Sequence, residues 1–309
     1  MATPGFDTFL GIDWSGARGE YHRGIQVALA APGHACPEIL SPPARTGWSR
    51  ADILTLLLDF KKEGRSVLAG IDFAFVHPMS EDGGYFPAYP ASPKTPEELW
   101  QVVEHASADE AHLYGGGIWG HPELRRFYNA PRRRDGRGGR GELFSSRRRM
   151  TEIMAARVNG RSPSPTFNCV GPAGVGTGSL AGMRLLHRLK RQAWIWPILP
   201  AVQKDGAGQL AVVEIFPSLY FSMAGITDRM KRDAPLSALN RALAFYQAEP
   251  ARSLAEKLPD QDDSDAMISA AALRDRHCPD QIFPIEAPAR ASAAQEGWIF
   301  GVGYARQDQ

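Results

Sequence analysis

The chain has 309 residues, of which 43% are hydrophobic and 22% charged, which is typical of a soluble globular protein with one large domain or two ordinary ones. The longest apolar stretch, residues 193–202, contains two prolines and is too short to cross a bilayer, so no membrane partner is expected. Three cysteines lie far apart without metal-binding spacing, and the N-terminus lacks a signal-peptide pattern. These features predict a protein of the reducing cytoplasm.

The formal net charge of +1 hides a strong asymmetry along the chain. Twelve arginines and three acidic residues lie between Arg125 and Arg161, which gives this segment a net charge of +9 and leaves −8 for the rest. A basic segment on an acidic body predicts a polyanionic partner, here nucleic acid, and a solvated loop is the alternative. The arginines that we predict to contact phosphates are Arg132, Arg133, Arg134, Arg147 and Arg148.

The N-terminal quarter of the chain predicts strands that deliver two aspartates to one edge of a sheet. In chain order, the predicted elements are strands over residues 8–13, 24–31 and 37–40, a helix over 52–62, and a strand over 66–75. Asp13 ends the first apolar run, and Asp72 ends the apolar run of the last strand. Ser49 is a suitable N-cap for the helix, and Gly64 a suitable stop.

Residues 77–207 are rich in Pro, Gly and Arg, and we interpret them as an insertion into a core formed by residues 6–76 and 208–309. No linker composition flanks the segment, so the whole chain is predicted to be one domain. Short helices are predicted over residues 96–105 and 181–191.

A Gly-rich stretch precedes the second of these helices. Free backbone N–H groups and the helix dipole make such a helix start a good anion site. The alternative is a tight turn that needs positive φ, and no Lys precedes the serine as a Walker A loop would require. The residues predicted to contact a phosphate are Gly174, Gly176, Thr177, Gly178 and Ser179.

The C-terminal part supplies the remaining acids. In chain order, the predicted elements are a strand over residues 210–217, helices over 234–247 and 263–276, and a strand over 297–304. Glu214 lies near the end of the first strand, before a proline. Asp262 and Asp265 open the Ala-rich second helix, where their spacing places them on one face.

Acids at the ends of three apolar strands, with an acid pair at a helix start, are typical of a site for hard divalent cations such as Mg²⁺ or Mn²⁺. Two carboxylates about 4 Å apart repel by roughly 4 kcal/mol at an effective dielectric of 20, so such a cluster needs a cation or protons. Each acid could instead have a local structural role. Asp13 and Asp72 could cap turns, Glu214 could pair with an arginine, and Asp262 could be a helix N-cap.

Six motifs follow one another in a characteristic order: Gly-Ile-Asp13-Trp-Ser-Gly, Gly-Ile-Asp72-Phe-Ala-Phe, Val-Gly171-Pro-Ala-Gly-Val-Gly, Val-Glu214-Ile-Phe-Pro-Ser, Asp265-Ala-Met-Ile-Ser-Ala-Ala and Glu296-Gly-Trp-Ile. Their order resembles that of domain of unknown function family 429, whose members are described as predicted nucleases with an RNase H fold. The resemblance implies a nuclease core with Asp13 on the first strand, Asp72 on the fourth, Glu214 on the fifth and Asp265 on the last helix. Asp262 matches the helical acid pair of RuvC-type resolvases.

We therefore expect an α/β, RNase H-like mixed sheet flanked by helices, with a large insertion. The expected activity is metal-dependent hydrolysis of nucleic acid by two cations about 3.5–4 Å apart. Asp13 would bridge both cations, Asp72, Glu214 and Asp265 would complete their shells, and Asp262 would be an outer ligand. Two alternatives are a non-catalytic nucleic-acid-binding protein and an actin-like phosphotransfer protein. The latter needs two such domains, and the sequence has one Gly-Ile-Asp hairpin unit.

Overall fold

The computed structural model describes residues 5–132, 136, 138–171, 174–202, 208–251, 259–278, 282–287 and 289–303. Its strands are β1 Thr8–Asp13, β2 Tyr21–His22, β3 Gln26–Ala30, β4 Glu38–Ile39, β5 Trp48–Ser49, β6 Ser66–Ile71, β7 Asn129–Ala130, β8 Gly139–Arg140, β9 Trp194–Ile195 and β10 Gln209–Glu214. Its α-helices are α1 Arg50–Lys62, α2 Pro96–Ala106, α3 Met150–Asn159, α4 Gly176–Leu189, α5 Pro217–Met223, α6 Asp228–Asp233, α7 Pro235–Phe245, α8 Gln261–Arg276 and α9 Ala289–Glu296. Two 3₁₀ helices cover Gly116–Gly120 and Leu124–Phe127.

Six strands form one mixed sheet in the order β4-β3-β1-β6-β10-β9. Strands β1, β6, β10 and β9 are parallel, whereas β3 is antiparallel to both β1 and β4. In this register Ile71 lies opposite both Ile12 and Glu214. The carboxyl ends of the three central strands therefore lie side by side, as expected for the site of a parallel sheet. The predicted mixed α/β sheet flanked by helices is confirmed.

The two faces of the sheet pack against different parts of the chain. On one face, Leu10 and Ile12 join a core with side chains of α1, α2 and α4. On the other face, Phe9 joins a core with side chains of α5, α7 and α8. Because successive side chains of a strand alternate between faces, Gly11 and Asp13 lie on the same face as Phe9, the face covered by α8.

Segment 77–207 contributes side chains to both of these cores rather than standing apart from them. Its helices α2 and α4 pack together, and Trp100, Leu180 and Leu186 are fully buried beneath the sheet. Strand β9 extends the sheet at one edge by pairing with β10. The predicted insertion is therefore integral to the fold in the part of the chain that the structure describes.

Several predicted helix boundaries change for identifiable reasons. Helix α1 begins at Arg50, where Ser49 and Asp52 form the reciprocal hydrogen bonds of a capping box, as the predicted N-cap requires. Helix α4 begins at Gly176, within the Gly-rich stretch and five residues earlier than predicted. The N-cap of α8 is Asp260 rather than Asp262, because the Asp260 side chain accepts the backbone N–H of Asp263.

The strand predicted over residues 297–304 is wrong. A single bridge joins Ile299 to Glu214, and residues 300–303 form turns. Gly301 and Gly303 both have φ of +91°, which is incompatible with an extended strand. Tyr304 lies outside the described residues.

No helix among the described residues combines the length and the apolarity that a membrane crossing requires.

Candidate functional site

Asp13 and Asp72 lie together at the carboxyl edge of the central sheet. Asp13 is the last residue of β1, and Asp72 directly follows β6. The backbone N–H of Asp72 donates to the carbonyl of Ile12 at 3.0 Å, which fixes the two strand ends side by side. The backbone N–H of Trp14 donates to Asp13 Oδ1, also at 3.0 Å.

Helix α8 approaches this edge closely because the residues at the contact are small. A Cβ atom on Gly11 would overlap the carbonyl oxygen of Ala266 and lie 2.6 Å from the backbone nitrogen of Ala270. The close packing predicted from the Ala-rich helix is thus confirmed. It places Asp262 and Asp265, both at the start of α8, on the face of the sheet toward which Asp13 points.

The acids at this edge interact with one another. Burial, followed by the charges of Asp72, Asp265 and Asp262, raises the pKa of Asp13 well above its usual value. Burial, followed by the charges of Asp265 and Glu214, does the same for the pKa of Asp72. Carboxyl groups that raise one another's pKa in this way favour either protonation or the approach of a cation.

The two acids of α8 have different surroundings. Burial raises the pKa of Asp265 to about 6, with Lys231 opposing the shift and Asp262 adding to it. Oδ1 of Asp265 is buried and has no hydrogen-bond partner among the described residues. The pKa of Asp262 is also raised by burial, while a hydrogen bond to the side chain of Asp13 counteracts the shift.

Glu214 belongs to a different environment from the aspartates. Its Oε1 and Oε2 accept hydrogen bonds from the guanidinium of Arg149 at 2.5 and 2.7 Å, and Oε2 also accepts the backbone N–H of Phe75 at 3.0 Å. Glu214 and Arg149 are 2% and 1% exposed, respectively. The predicted role of Glu214 as a metal ligand is therefore not supported by this arrangement, which instead matches the alternative of pairing with an arginine.

The alternation of side chains along β10 accounts for this separation. Leu210 and Val212 face the core that contains α4, and Glu214 continues the same series. Asp13 points toward α8, on the other face of the sheet. Glu214 therefore meets the segment that carries Arg149 instead of joining the acids around α8.

Arg149 is the site residue that the sequence did not single out. Besides Glu214, its guanidinium contacts Glu152 Oε1 at 2.9 Å and the carbonyl of Glu296 at 3.1 Å. It stands in the Arg-rich segment, in the run Arg147-Arg148-Arg149, where composition gives no sign that one of the three is buried. Glu152 lies three residues after Arg149, in the first turn of a helix, and this spacing is the local sequence signal that the arginine is paired.

The C-terminal Glu-Gly-Trp-Ile motif fixes this ion pair in place. Glu296 Oε1 and Oε2 accept the backbone N–H groups of Met79 and Met150 at 2.7 and 2.8 Å. Gly297 lies directly beside the Arg149–Glu214 pair and has a φ of +71°, which favours glycine at this position. The motif therefore joins the start of segment 77–207, the start of α3 and the end of β10.

The loop after Asp13 is held against the Gly-rich start of α4. A Cβ atom on Gly16 would lie 2.7 Å from Cα of Gly178, and the indole N–H of Trp14 donates to the carbonyl of Gly178 at 3.1 Å. The buried guanidinium of Arg50 donates to the carbonyl of Ser15 at 2.8 Å and so fixes the loop to α1. Two segments that are about 160 residues apart in the sequence thus form one wall.

This wall borders a cavity of about 360 Å³, the central cleft, whose lining includes Asp72, Arg149, Glu214, Gly16, Gly174 and Gly178. The predicted phosphate loop therefore lies at the same cleft as one of the aspartates. Its hydroxyl groups are used within the protein, since Thr177 Oγ1 donates to Cys169 and Ser179 Oγ donates to Val175, at 3.3 and 3.1 Å. The α4 N-terminus has no side-chain cap.

The arginines predicted to contact phosphates are placed differently from one another. Arg147 donates to the carbonyls of Pro78 and Tyr85, and Arg148 donates to the carbonyl of Pro163. Both therefore have structural hydrogen bonds. Arg132 is exposed, whereas Arg133 and Arg134 lie outside the described residues. The phosphate contacts of this segment stay a prediction.

Within the described ranges, no three or more His, Cys, Asp or Glu side chains are grouped in a way that could hold a metal ion. The chemistry of these acids is that of hard-cation ligands: the buried Oδ1 of Asp265 has no hydrogen-bond partner there, and the charges that act on Asp13 are those of other acids. Mg²⁺ usually takes one or two protein carboxylates and completes its shell with water and substrate phosphate. Two carboxylates from this edge would meet that requirement.

Comparisons of the chain with family models, with curated proteins and with solved structures find no match.

Proposed function

We propose that this protein is a metal-dependent nuclease, which hydrolyses phosphodiester bonds of nucleic acid at the carboxyl edge of its central sheet. The acids from which one or two at a time would hold Mg²⁺ or Mn²⁺ are Asp13, Asp72 and Asp265, with Asp262 beside Asp13. A cation held there would lower the pKa of a bound water and offset the negative charge that develops on the phosphate.

The topology of the sheet supports an RNase H-like assignment. Within the central sheet, β1 is central, β3 and β4 continue antiparallel on one side, and β6 and β10 continue parallel on the other. Asp72 follows the fourth of these strands in chain order, as the resemblance implies. Glu214 falls on the sixth rather than the fifth, because the two-residue β9 of segment 77–207 precedes it.

The observation that carries the proposal is the convergence of Asp13, Asp72 and the acids of α8 on one edge of the sheet, where the ends of β1 and β6 lie side by side and α8 packs on Gly11. The pKa values of Asp13, Asp72 and Asp265 are each raised by burial and further by at least one neighbouring aspartate. Clustered acids with raised pKa values in a cleft are characteristic of functional sites, because a folded protein gains no stability from such repulsion. A turn-capping role explains one such acid but not several that converge on one edge of the sheet.

In this proposal Glu214 and Arg149 position the site rather than bind the cation. Their buried ion pair fixes the end of β10 against α3 and the loop that follows β6. The uncapped start of α4, which lines the central cleft, would receive a phosphate through its backbone N–H groups. A held phosphate would thus lie between the helix start and Asp72.

Cleavage assays with Mn²⁺ test the proposal on labelled single-stranded and duplex DNA and RNA. We expect cleavage by the wild type that EDTA abolishes, and rates at least about 100-fold lower for Asp13→Asn and Asp72→Asn. Asp59→Asn is the matched control, because Asp59 is an exposed aspartate of α1 that pairs with Lys62. Equal rates for Asp13→Asn and the control would reject the assignment, and no cleavage of any substrate by the wild type would favour the non-catalytic alternative.

A further inference from the structure

A second cavity, of about 460 Å³, lies on the other side of Asp265. We call it the side pocket. It lies between α5, α6 and α8, and its lining includes Phe221, Asp228, Lys231, Arg232, Asp260 and Asp265. The central cleft borders Asp72, and the side pocket borders Asp265. The charge of Asp265 acts on Asp72, so the two acids that border the two cavities interact with each other.

Two basic side chains, Lys231 and Arg232, line the side pocket beside its acids, and the charges of both act on Asp228. Asp228 is paired with Arg161 at 3.0 Å, and Asp260 accepts the backbone N–H of Asp263 as the N-cap of α8. Among the described residues, neither Lys231 nor Arg232 has an acidic partner within 4.0 Å. The lining has three acidic residues and two basic ones, so a divalent cation bound at Asp265 would change its formal net charge from −1 to +1 and make the side pocket net basic.

Lys231 is held in position without being neutralised. Its ammonium lies 4.9 Å from the ring centroid of Phe221, a buried residue of α5. Its charge also acts on Asp265, where it opposes the upward shift of the pKa. The ammonium therefore borders the same pocket as Asp265, and no described residue accepts a hydrogen bond from it, so its donors can serve a ligand.

We propose that the side pocket binds a phosphodiester group of the nucleic acid next to the one that is hydrolysed, with Lys231 and Arg232 as its ligands. This inference rests on the proposed function. A strand would then pass from the central cleft, across the aspartates, to α6. Lysine and arginine contacts to phosphate are insensitive to base sequence, so the subsite would contribute affinity and position rather than specificity.

Fluorescence anisotropy with a labelled dT12 oligonucleotide, in Ca²⁺ and at several NaCl concentrations, tests the subsite. We expect Lys231→Gln and Arg232→Gln each to weaken binding by about tenfold, and Lys231→Arg to retain it. The double variant should lower the magnitude of the salt slope by about 0.7, the value for one neutralised phosphate on a single strand. Arg229→Gln is the matched control on α6, because Arg229 is paired with Asp233.

Unchanged affinity and salt slope in the double variant, relative to Arg229→Gln, would overturn the inference. The failure of the proposed function is a separate result, measured as cleavage in Mn²⁺ by the wild type. If the wild type cleaves nothing but the Lys231 and Arg232 variants lose dT12 binding, the nuclease is rejected and the phosphate subsite is supported. If the wild type cleaves in Mn²⁺ but dT12 binding does not depend on Lys231 or Arg232, the nuclease is supported and the phosphate subsite is rejected.

Discussion

Two kinds of carboxylate occupy the carboxyl edge of the sheet. Glu214 is neutralised by a two-pronged ion pair with Arg149, and the pair is fully buried. Asp13 and Asp72 face other acids, and burial together with those charges raises the pKa of each. The ion pair stabilises the metal-free fold, whereas the repulsion between the aspartates destabilises it. Neutralising Glu214 and neutralising an aspartate should therefore change the unfolding free energy of the metal-free protein in opposite directions.

Glu214→Gln should destabilise the metal-free protein. The substitution leaves the charge of Arg149 buried with Glu152 as its remaining acidic partner. Removing one partner of a buried pair costs about 3–5 kcal/mol. Urea unfolding in EDTA measures the change, and a cycle with Arg149→Gln isolates the energy of the pair.

A Glu214 that served mainly as a metal ligand would behave differently in the same experiment. Its neutralisation would leave the stability in EDTA unchanged or higher, and would remove the stabilisation by Mn²⁺. That outcome would restore Glu214 to the predicted ligand set and contradict the positioning role.

The stability of the metal-free protein should fall as the pH rises from about 4 to 6 because of Asp265. Its pKa of about 6 in the folded state exceeds the ordinary 3.8, so the unfolded chain releases this proton first as the pH rises. The shift corresponds to roughly 3 kcal/mol of unfolding free energy, present at low pH and lost above about pH 6. Urea titrations in EDTA at each pH should show a flatter profile for Asp265→Asn. Parallel profiles for the two proteins would show that Asp265 is not perturbed.

At the level of elements, the geometry of the acid cluster depends on how closely α8 packs on β1. Gly11 provides this contact, because a side chain there would overlap the backbone of α8 at Ala266 and Ala270. The distance between strand and helix in turn decides whether Asp262 and Asp265 reach Asp13. One glycine therefore links the packing of the sheet to the site.

Gly11→Ala should destabilise the fold by about 1–3 kcal/mol, since the helix must shift to admit a methyl group. It should also weaken the thermal stabilisation by Mn²⁺, because α8 carries two of the acids. Gly5→Ala is the control, because a Cβ atom on Gly5 would have no described atom within 4 Å. Equal unfolding free energies and Mn²⁺ responses for the two variants would show that α8 does not depend on this contact.

The sequence predicted the elements whose signals are local. The apolar runs of β1 and β6 ended at Asp13 and Asp72 as expected, and Ser49 capped α1. The expected C-terminal strand failed because Gly301 and Gly303 adopt positive φ, which an apolar run does not reveal. The start of α4 was placed late because glycines concealed a helix that is stabilised by tertiary packing.

The placement of site residues was less predictable where it depends on long-range contacts. The partner of Glu214 is Arg149, 65 residues away in the chain, in a run that composition alone assigns to solvent or nucleic acid. The face on which Glu214 lies follows from the alternation of β10, once its neighbours are known. The candidate acids could be identified from their spacing in the sequence. Which of them lie close together depends on strand register and tertiary packing.

For the whole molecule, segment 77–207 joins the core and the candidate site. It buries one face of the sheet, supplies the Gly-rich wall of the central cleft and carries Arg149. Part of its positive charge is used internally: Arg126 pairs with Glu123 and Glu142, and Arg147 binds backbone carbonyls. The number of arginines available to contact a polyanion is therefore smaller than the net charge of the segment indicates.

Thermal melts of wild type and Asp13→Asn, in EDTA and in Mn²⁺, test whether Asp13 belongs to a cation site. A cation site at Asp13 predicts that the mutant melts no lower than wild type in EDTA, because removing one charge relieves repulsion by Asp72 and Asp265. It also predicts that the mutant loses most of the Mn²⁺-induced rise, which Asp59→Asn should keep in full. A merely structural Asp13 that caps a turn would cost about 0.5–2 kcal/mol when replaced. A mutant that melts lower in EDTA and retains the whole Mn²⁺ response would contradict the account.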